Sequence, residues 1–156
     1  MPQEASALAA AAPRPPGRYV FVYGTLRRGG SNDINRLTPA PQWVGQAVLP
    51  GSLYSLGPYP GMRVAHCTAA RDVVYGEVYA ISQALEDQLD LIEGLMPGAQ
   101  PSDADEYARR EVWVTVGVEH LRCLMYEVHQ RFALGQARVL TGDWMQRSHV
   151  LPQCDK

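Results

Sequence analysis

The sequence predicts an α+β fold: a small mixed β-sheet, closing towards a barrel, packed against one long helix and a few short flanking ones. Three observations carry this. Five or six short runs are rich in Val, Tyr, Phe and Trp, the composition of strands. Only one long segment has apolar residues at helical spacing, and no repeat recurs at a fixed period. Several strands with one dominant helix are best buried as a curled sheet covered by that helix.

The strands come in order. Tyr19 to Tyr23 is a five-residue aromatic and β-branched run ended by Gly24, as a buried strand would be. "WVGQAVLPGSLYSL" has strand composition interrupted at Pro50 and Gly51, which predicts two strands around a turn or one strand bent sharply. "DVVYGEVYAI", "REVWVTVGV" and "HLRCLMYEV" add three more, with Val112, Val114 and Val116 alternating against Trp113 and Thr115. "PYPGM", Pro58 to Met62, reads most simply as a turn.

The helix follows Ser82. That residue suits an N-cap, Leu85, Leu89 and Ile92 recur at helical spacing, and Gly94 stands where a helix end needs positive φ. Shorter helical turns are expected at "NDINRL" and "TGDWMQR".

The 156 residues suffice for one ordinary core. Residues 1–18 mix Ala with Pro and lack amphipathic pattern, so they are expected to form a disordered tail, with one domain over 19–150 and a short polar tail at 151–156. An export signal fits poorly, since the tail has Glu4 where basic residues belong. Fourteen basic and 16 acidic side chains leave a formal charge of −2, which recommends neither nucleic acid nor an anionic membrane as partner. A small-molecule ligand, a cytoplasmic setting and a monomer or homodimer are expected. Cys67, Cys123 and Cys154 are odd in number and widely spaced, unlike a disulfide framework or a thiolate zinc site. The four histidines form no metal-ligand pattern, there is no GxSxG elbow, and Cys67 beside His66 makes no dyad from adjacency alone. No metal and no cofactor are expected.

Two constellations remain. At "YGTL", Gly24 lets consecutive backbone N–H groups at a strand end converge on an anion; the plain alternative is a strand end followed by a solvated "RRGG" turn. A phosphate loop is excluded, because neither GxxxxGK[ST] nor GxGxxG is present. On the helix, Glu86, Asp90 and Glu93 fall along one side. Glu86 and Asp90 are expected to form a water-facing acidic face. Glu93 differs: it lies in the last turn, where the helix dipole disfavours a carboxylate by about 0.3 to 1 kcal/mol, next to Leu89 and Ile92. Both effects push its pKa up, the profile of a general base. Tyr107 and Tyr126 fall on strands, where a tyrosine is ordinarily an amphipathic core residue, so their meaning depends on where they point.

"VYGTLRRGG", "GSLYSLGPYPGM", "VYGEVYAI", "LDLIEG", "YARREVWV" and the late "GDW" follow one another as in the gamma-glutamylcyclotransferase-like family, and over about Val20 to Trp144 the chain resembles its bacterial members and the gamma-glutamylamine cyclotransferases. The resemblance implies a small mixed barrel that binds the glutamyl part of a substrate with the backbone of Tyr23, Gly24, Thr25 and Leu26. It also implies Glu93 as the catalytic carboxylate, with Tyr107, Arg109 and Tyr126 at the site. The implied reaction releases 5-oxoproline and a free amine from a γ-glutamyl amine or peptide. A non-catalytic binding module, or removal of a γ-glutamyl protecting group from a specialised metabolite, are the alternatives. The segment "LMPGAQPSDADE" between Glu93 and Tyr107 is longer than in compact members, so the leaving amine stays open.

Overall fold

A computed structural model describes residues 18–65 and 72–149. The two terminal tails, and the His66–Cys67 pair, lie outside the described residues apart from Arg18. Seven strands form one mixed sheet: β1 (Tyr19–Val22), β2 (Gln42–Ser55), β3 (Pro60–Val64), β4 (Val73–Ala80), β5 (Tyr107–Val116), β6 (Glu119–Val128) and β7 (Ala137–Arg138). Their order is β3-β2-β4-β1-β6-β5, with β7 on β2. Among the described residues only β1 and β6 run parallel; the other pairs are antiparallel.

The sheet curls until its ends meet. An added Cβ on Gly45 of β2 would stand 2.5 Å from Val116 of β5, and one on Gly61 of β3 would stand 2.6 Å from Val128 of β6. Arg63 Nη1 also donates to the Val128 carbonyl at 2.9 Å. A nearly closed barrel is the result.

The interrupted run is one strand bent at Pro50 and Gly51. Before the bend β2 pairs with β4, ending at Pro50 opposite Val73; after it β2 pairs with β3, beginning at Gly51 opposite Val64. "PYPGM" is a turn only in its first half: Pro58 and Tyr59 lie in the bend at the hairpin tip, and Pro60 opens β3, whose edge position tolerates proline.

Strand periodicity divides the core in two. On β1 and β6, Val20, Val22, Leu124, Tyr126 and Val128 face one cluster with Leu85 and Leu89 of α1 (Gln83–Ile92). Phe21, Tyr23, Cys123 and Met125 face the other, inside the barrel, with Leu53, Met62, Val78 and Val114. Central strands buried on both faces are continuous in apolar sequence, which is why these two runs read so clearly as strands. Burying each of Leu85 and Leu89 stabilises the fold by about 1.5 to 3 kcal/mol. α1 is capped as its sequence suggests, with Ser82 Oγ accepting from the Leu85 N–H at 3.1 Å.

Short 3₁₀ turns occupy Ile34–Arg36 and Trp144–His149, and a one-turn helix, α2 (Gln130–Ala133), follows β6. Among the described residues no helix is long and apolar enough to cross a membrane.

Candidate active site

Strand direction gathers the site at one end of the barrel. Because β6 runs parallel to β1, its Tyr126 comes level with the outgoing end of β1, where Tyr23 follows. Because β5 is antiparallel to β6, its first residue, Tyr107, arrives at the same end opposite Val128. The tip of the β2–β3 hairpin brings Tyr59 and Pro60, and α1 ends there with Glu93. Together these residues, with Gly24, Thr25, Leu26 and Glu106, line a cavity of about 380 Å³.

Glu93 is the C-cap of α1. The helix closes with Gly94 at φ 82°, its N–H on the Leu91 carbonyl at 3.0 Å, and the Leu95 N–H on the Asp90 carbonyl at 2.7 Å. This double bond pattern needs a left-handed residue after the cap. The half-buried Glu93 presents its carboxyl to the cavity, and burial, followed by the charges of Glu106 and Asp90, pushes its pKa up to about 7. A carboxyl there can both accept and return a proton near neutrality.

The loop after β1 is rigidly seated. The carbonyls of Gly24, Thr25 and Leu26 accept from the N–H groups of Arg27, Asn32 and Ile34 at 2.9–3.0 Å, whereas none of their own three N–H groups donates in that network. An added Cβ on Gly24 would lie 2.6 Å from Pro60 Cγ. The glycine is therefore required by close approach to the hairpin tip. Only the second arginine of "RR" is solvated: Arg28 is exposed, whereas Arg27 is buried, donating from Nε to Glu77 at 3.2 Å and from Nη1 to Asp143 at 2.7 Å. The Arg28 N–H and the Tyr79 hydroxyl both donate to the other Glu77 oxygen at 2.9 Å. Asp143 belongs to the "GDW" motif, so that motif anchors the loop from behind.

The tyrosines are buried, with their hydroxyls already engaged. Tyr23 donates to the Tyr126 carbonyl at 2.7 Å and accepts from the Met62 N–H at 3.0 Å. Tyr107 donates to the Pro60 carbonyl at 2.6 Å, and Tyr126 to Asp90 Oδ1 at 2.6 Å. Burial pushes all three phenols above their ordinary pKa. At neutral pH they are hydrogen-bond donors and not bases.

The acidic face of α1 is corrected. Glu86 and Asp90 are only 5% and 4% exposed. Arg109 of β5 pairs with both, and Arg18 with Glu86. Helical spacing alone gives no sign of this, because the covering residues come from β5, β6 and the residue before β1. Arg109 stands behind Asp90 and is absent from the cavity wall. The sequence gives no sign of two of the polar lining residues: Tyr59, within the hairpin bend, and Glu106, whose oxygens each lie 3.1 Å from the Tyr59 hydroxyl.

A curled sheet carrying one near-neutral carboxyl opposite a glycine-opened loop defines a barrel protein with a small-molecule cavity. The chain matches the family described as gamma-glutamyl cyclotransferase, AIG2-like, over residues 20–146, and it belongs to that family. It is 33% identical over 136 residues to a Vibrio cholerae protein named as a candidate gamma-glutamylcyclotransferase, covering 82% of this chain and 96% of that one. Among solved structures it is similar to YkqA from Bacillus subtilis, at 25% identity and a TM-score of 0.60, covering 89% of this chain. The chain spans 43% of that protein's length. An AIG2-like protein from Mus musculus shares the fold, with 23% identity and a TM-score of 0.54 over 71% of this chain and 76% of that one. Family membership supports an enzymatic role of the gamma-glutamylcyclotransferase kind, acting on a small molecule.

Proposed function

We propose that the protein is a γ-glutamyl cyclotransferase that releases 5-oxoproline and a free amine, with Glu93 carrying the proton. The observation that carries this reading is the Glu93 carboxyl, pushed up to about 7 in a cavity walled by Gly24, Thr25 and Leu26.

In a γ-glutamyl compound the α-nitrogen can close a five-membered ring on the γ-carbonyl carbon, so the substrate supplies its own nucleophile and its own proximity. Ionised Glu93 takes a proton from the α-ammonium. The freed amine attacks, a C–N bond forms, and the carbonyl oxygen becomes an oxyanion. After attack the ring nitrogen still carries two hydrogens and loses one to solvent, while the proton held by Glu93 passes to the departing nitrogen as the old C–N bond breaks and the oxyanion collapses to the lactam carbonyl. No electrons are exchanged with a third party.

The Gly24, Thr25 and Leu26 N–H groups suit the negative oxygens of the substrate, its α-carboxylate or the oxyanion, without adding a titrating charge. Tyr23, Tyr107 and Tyr126 form the wall against which the glutamyl chain would lie. Retention of a proton-accepting group favours an enzyme over a binding module, since a site built only to hold an anionic ligand gains nothing from a carboxylate.

Incubation with γ-glutamyl amines, γ-glutamyl dipeptides and glutathione, followed by quantification of 5-oxoproline, tests the reading. Release from at least one class is expected; intact substrate across all three would end it.

A further inference from the structure

Charge is unevenly distributed around the cavity. Glu93 and Glu106 line it, and among the described residues no lysine, arginine or histidine does. Glu106 precedes β5, at the end of the long segment 95–106, and is tethered by the Tyr59 hydroxyl, 3.1 Å from each carboxylate oxygen. A single phenol proton fills one of about four acceptor positions on a carboxylate. The charge of Glu106 reaches Glu93, where it is the leading cause of the raised pKa after burial.

The glutamyl half of a substrate does not balance that charge. It carries one ammonium, which faces Glu93 in the proposed reaction, and one carboxylate, which suits neutral N–H groups. The negative charge of Glu106 then has no counterpart in the cavity wall or in the glutamyl half. Within the bound substrate, the part left to supply a counterpart is the amine that leaves.

We infer that Glu106, held in place by Tyr59, selects the leaving amine by charge, favouring γ-glutamyl conjugates whose amine part bears a second, cationic group and disfavouring those whose amine part bears a carboxylate. This rests on the cyclotransferase reading and adds the substrate class. An unbalanced carboxylate in a partly desolvated site attracts a cation and repels an anion, and specificity arises from both effects.

Three γ-glutamyl conjugates with four-carbon amine parts test it: those of 1,4-diaminobutane, butylamine and 4-aminobutanoate, compared by kcat/KM for 5-oxoproline release. The wild type should rank cation over neutral over anion, with the ends about tenfold or more apart. Glu106→Gln should compress that spread, and Glu106→Lys should reverse it. Ratios between substrates cancel any general loss of active protein. An unchanged spread in Glu106→Gln would overturn the inference, as would an equal loss on all three conjugates, which would assign Glu106 to the α-ammonium they share. A charge-blind wild type that still releases 5-oxoproline would overturn this inference alone; no release from any γ-glutamyl compound would overturn the cyclotransferase reading as well.

Discussion

The hydroxyl of Tyr126 donates to Asp90 Oδ1 at 2.6 Å, joining β6 to α1 one helical turn before Glu93. The bond does two things. It satisfies a buried carboxylate that Arg109 also contacts, and it fixes a cavity-lining ring. Tyr126→Phe should therefore cost about 1 to 2 kcal/mol, seen as a lower midpoint in urea unfolding. With Asp90 less compensated, its charge weighs more on Glu93, so the acid limb of the kcat/KM profile should move to higher pH. An unmoved limb would detach Asp90 from the proton chemistry.

Arg109 holds Glu86 and Asp90 while its own side chain is 40% exposed. Arg109→Leu removes the shared cation and leaves two buried carboxylates with Arg18 and Tyr126 alone. Partial solvent screening puts the expected loss nearer 1 to 3 kcal/mol than the larger figures for fully buried pairs. Thermal unfolding at low and high salt checks it.

Gly24 tests the loop. Alanine there places a Cβ against the Pro60 ring at 2.6 Å, and both residues line the cavity. Overpacking of this kind costs about 1 to 3 kcal/mol. Because the strain falls on the loop and the hairpin tip, KM should rise more than stability loss alone explains. A Gly24→Ala variant with unchanged KM would remove the loop from substrate binding.

Much of this architecture is readable in the sequence where a strand is buried on both faces or a helix carries its own caps. Val20 to Val22, Cys123 to Val128, and the Ser82 to Gly94 helix are such cases. β3 is not, because Pro60 and Gly61 carry turn chemistry and become strand only through pairing with β2. The burial of Glu86 and Asp90 is equally hidden, since Arg109 and Tyr126 reach them from strands that sequence spacing cannot bring together. For the same reason Glu93 is legible from its position at a helix end, whereas Glu106 gains its place only from Tyr59, which the fold sets beside it.

The raised pKa of Glu93 makes stability depend on pH. Its ordinary value is 4.5 and its folded value about 7, so the folded chain binds this proton more tightly than the unfolded one. That contribution is fully present below about pH 4.5 and is lost as pH rises through about 7, at most about 3 kcal/mol. Urea titrations of wild type and Glu93→Gln between pH 5 and 8 should give a stability difference that shifts in favour of the variant as pH rises. A difference that stays constant across this range would place the carboxyl in ordinary solvent.

The proton role of Glu93 is tested most directly by the rate of 5-oxoproline release from Glu93→Gln across the pH range, on a substrate the wild type turns over well. The variant keeps the shape and loses the base, so kcat should fall by about 10² to 10⁴. The acid limb expected near pH 7 for the wild type should vanish with the carboxyl. Retention of even about a tenth of wild-type rate, far above the residue left when a general base is removed, or an acid limb that persists near pH 7, would contradict the assignment.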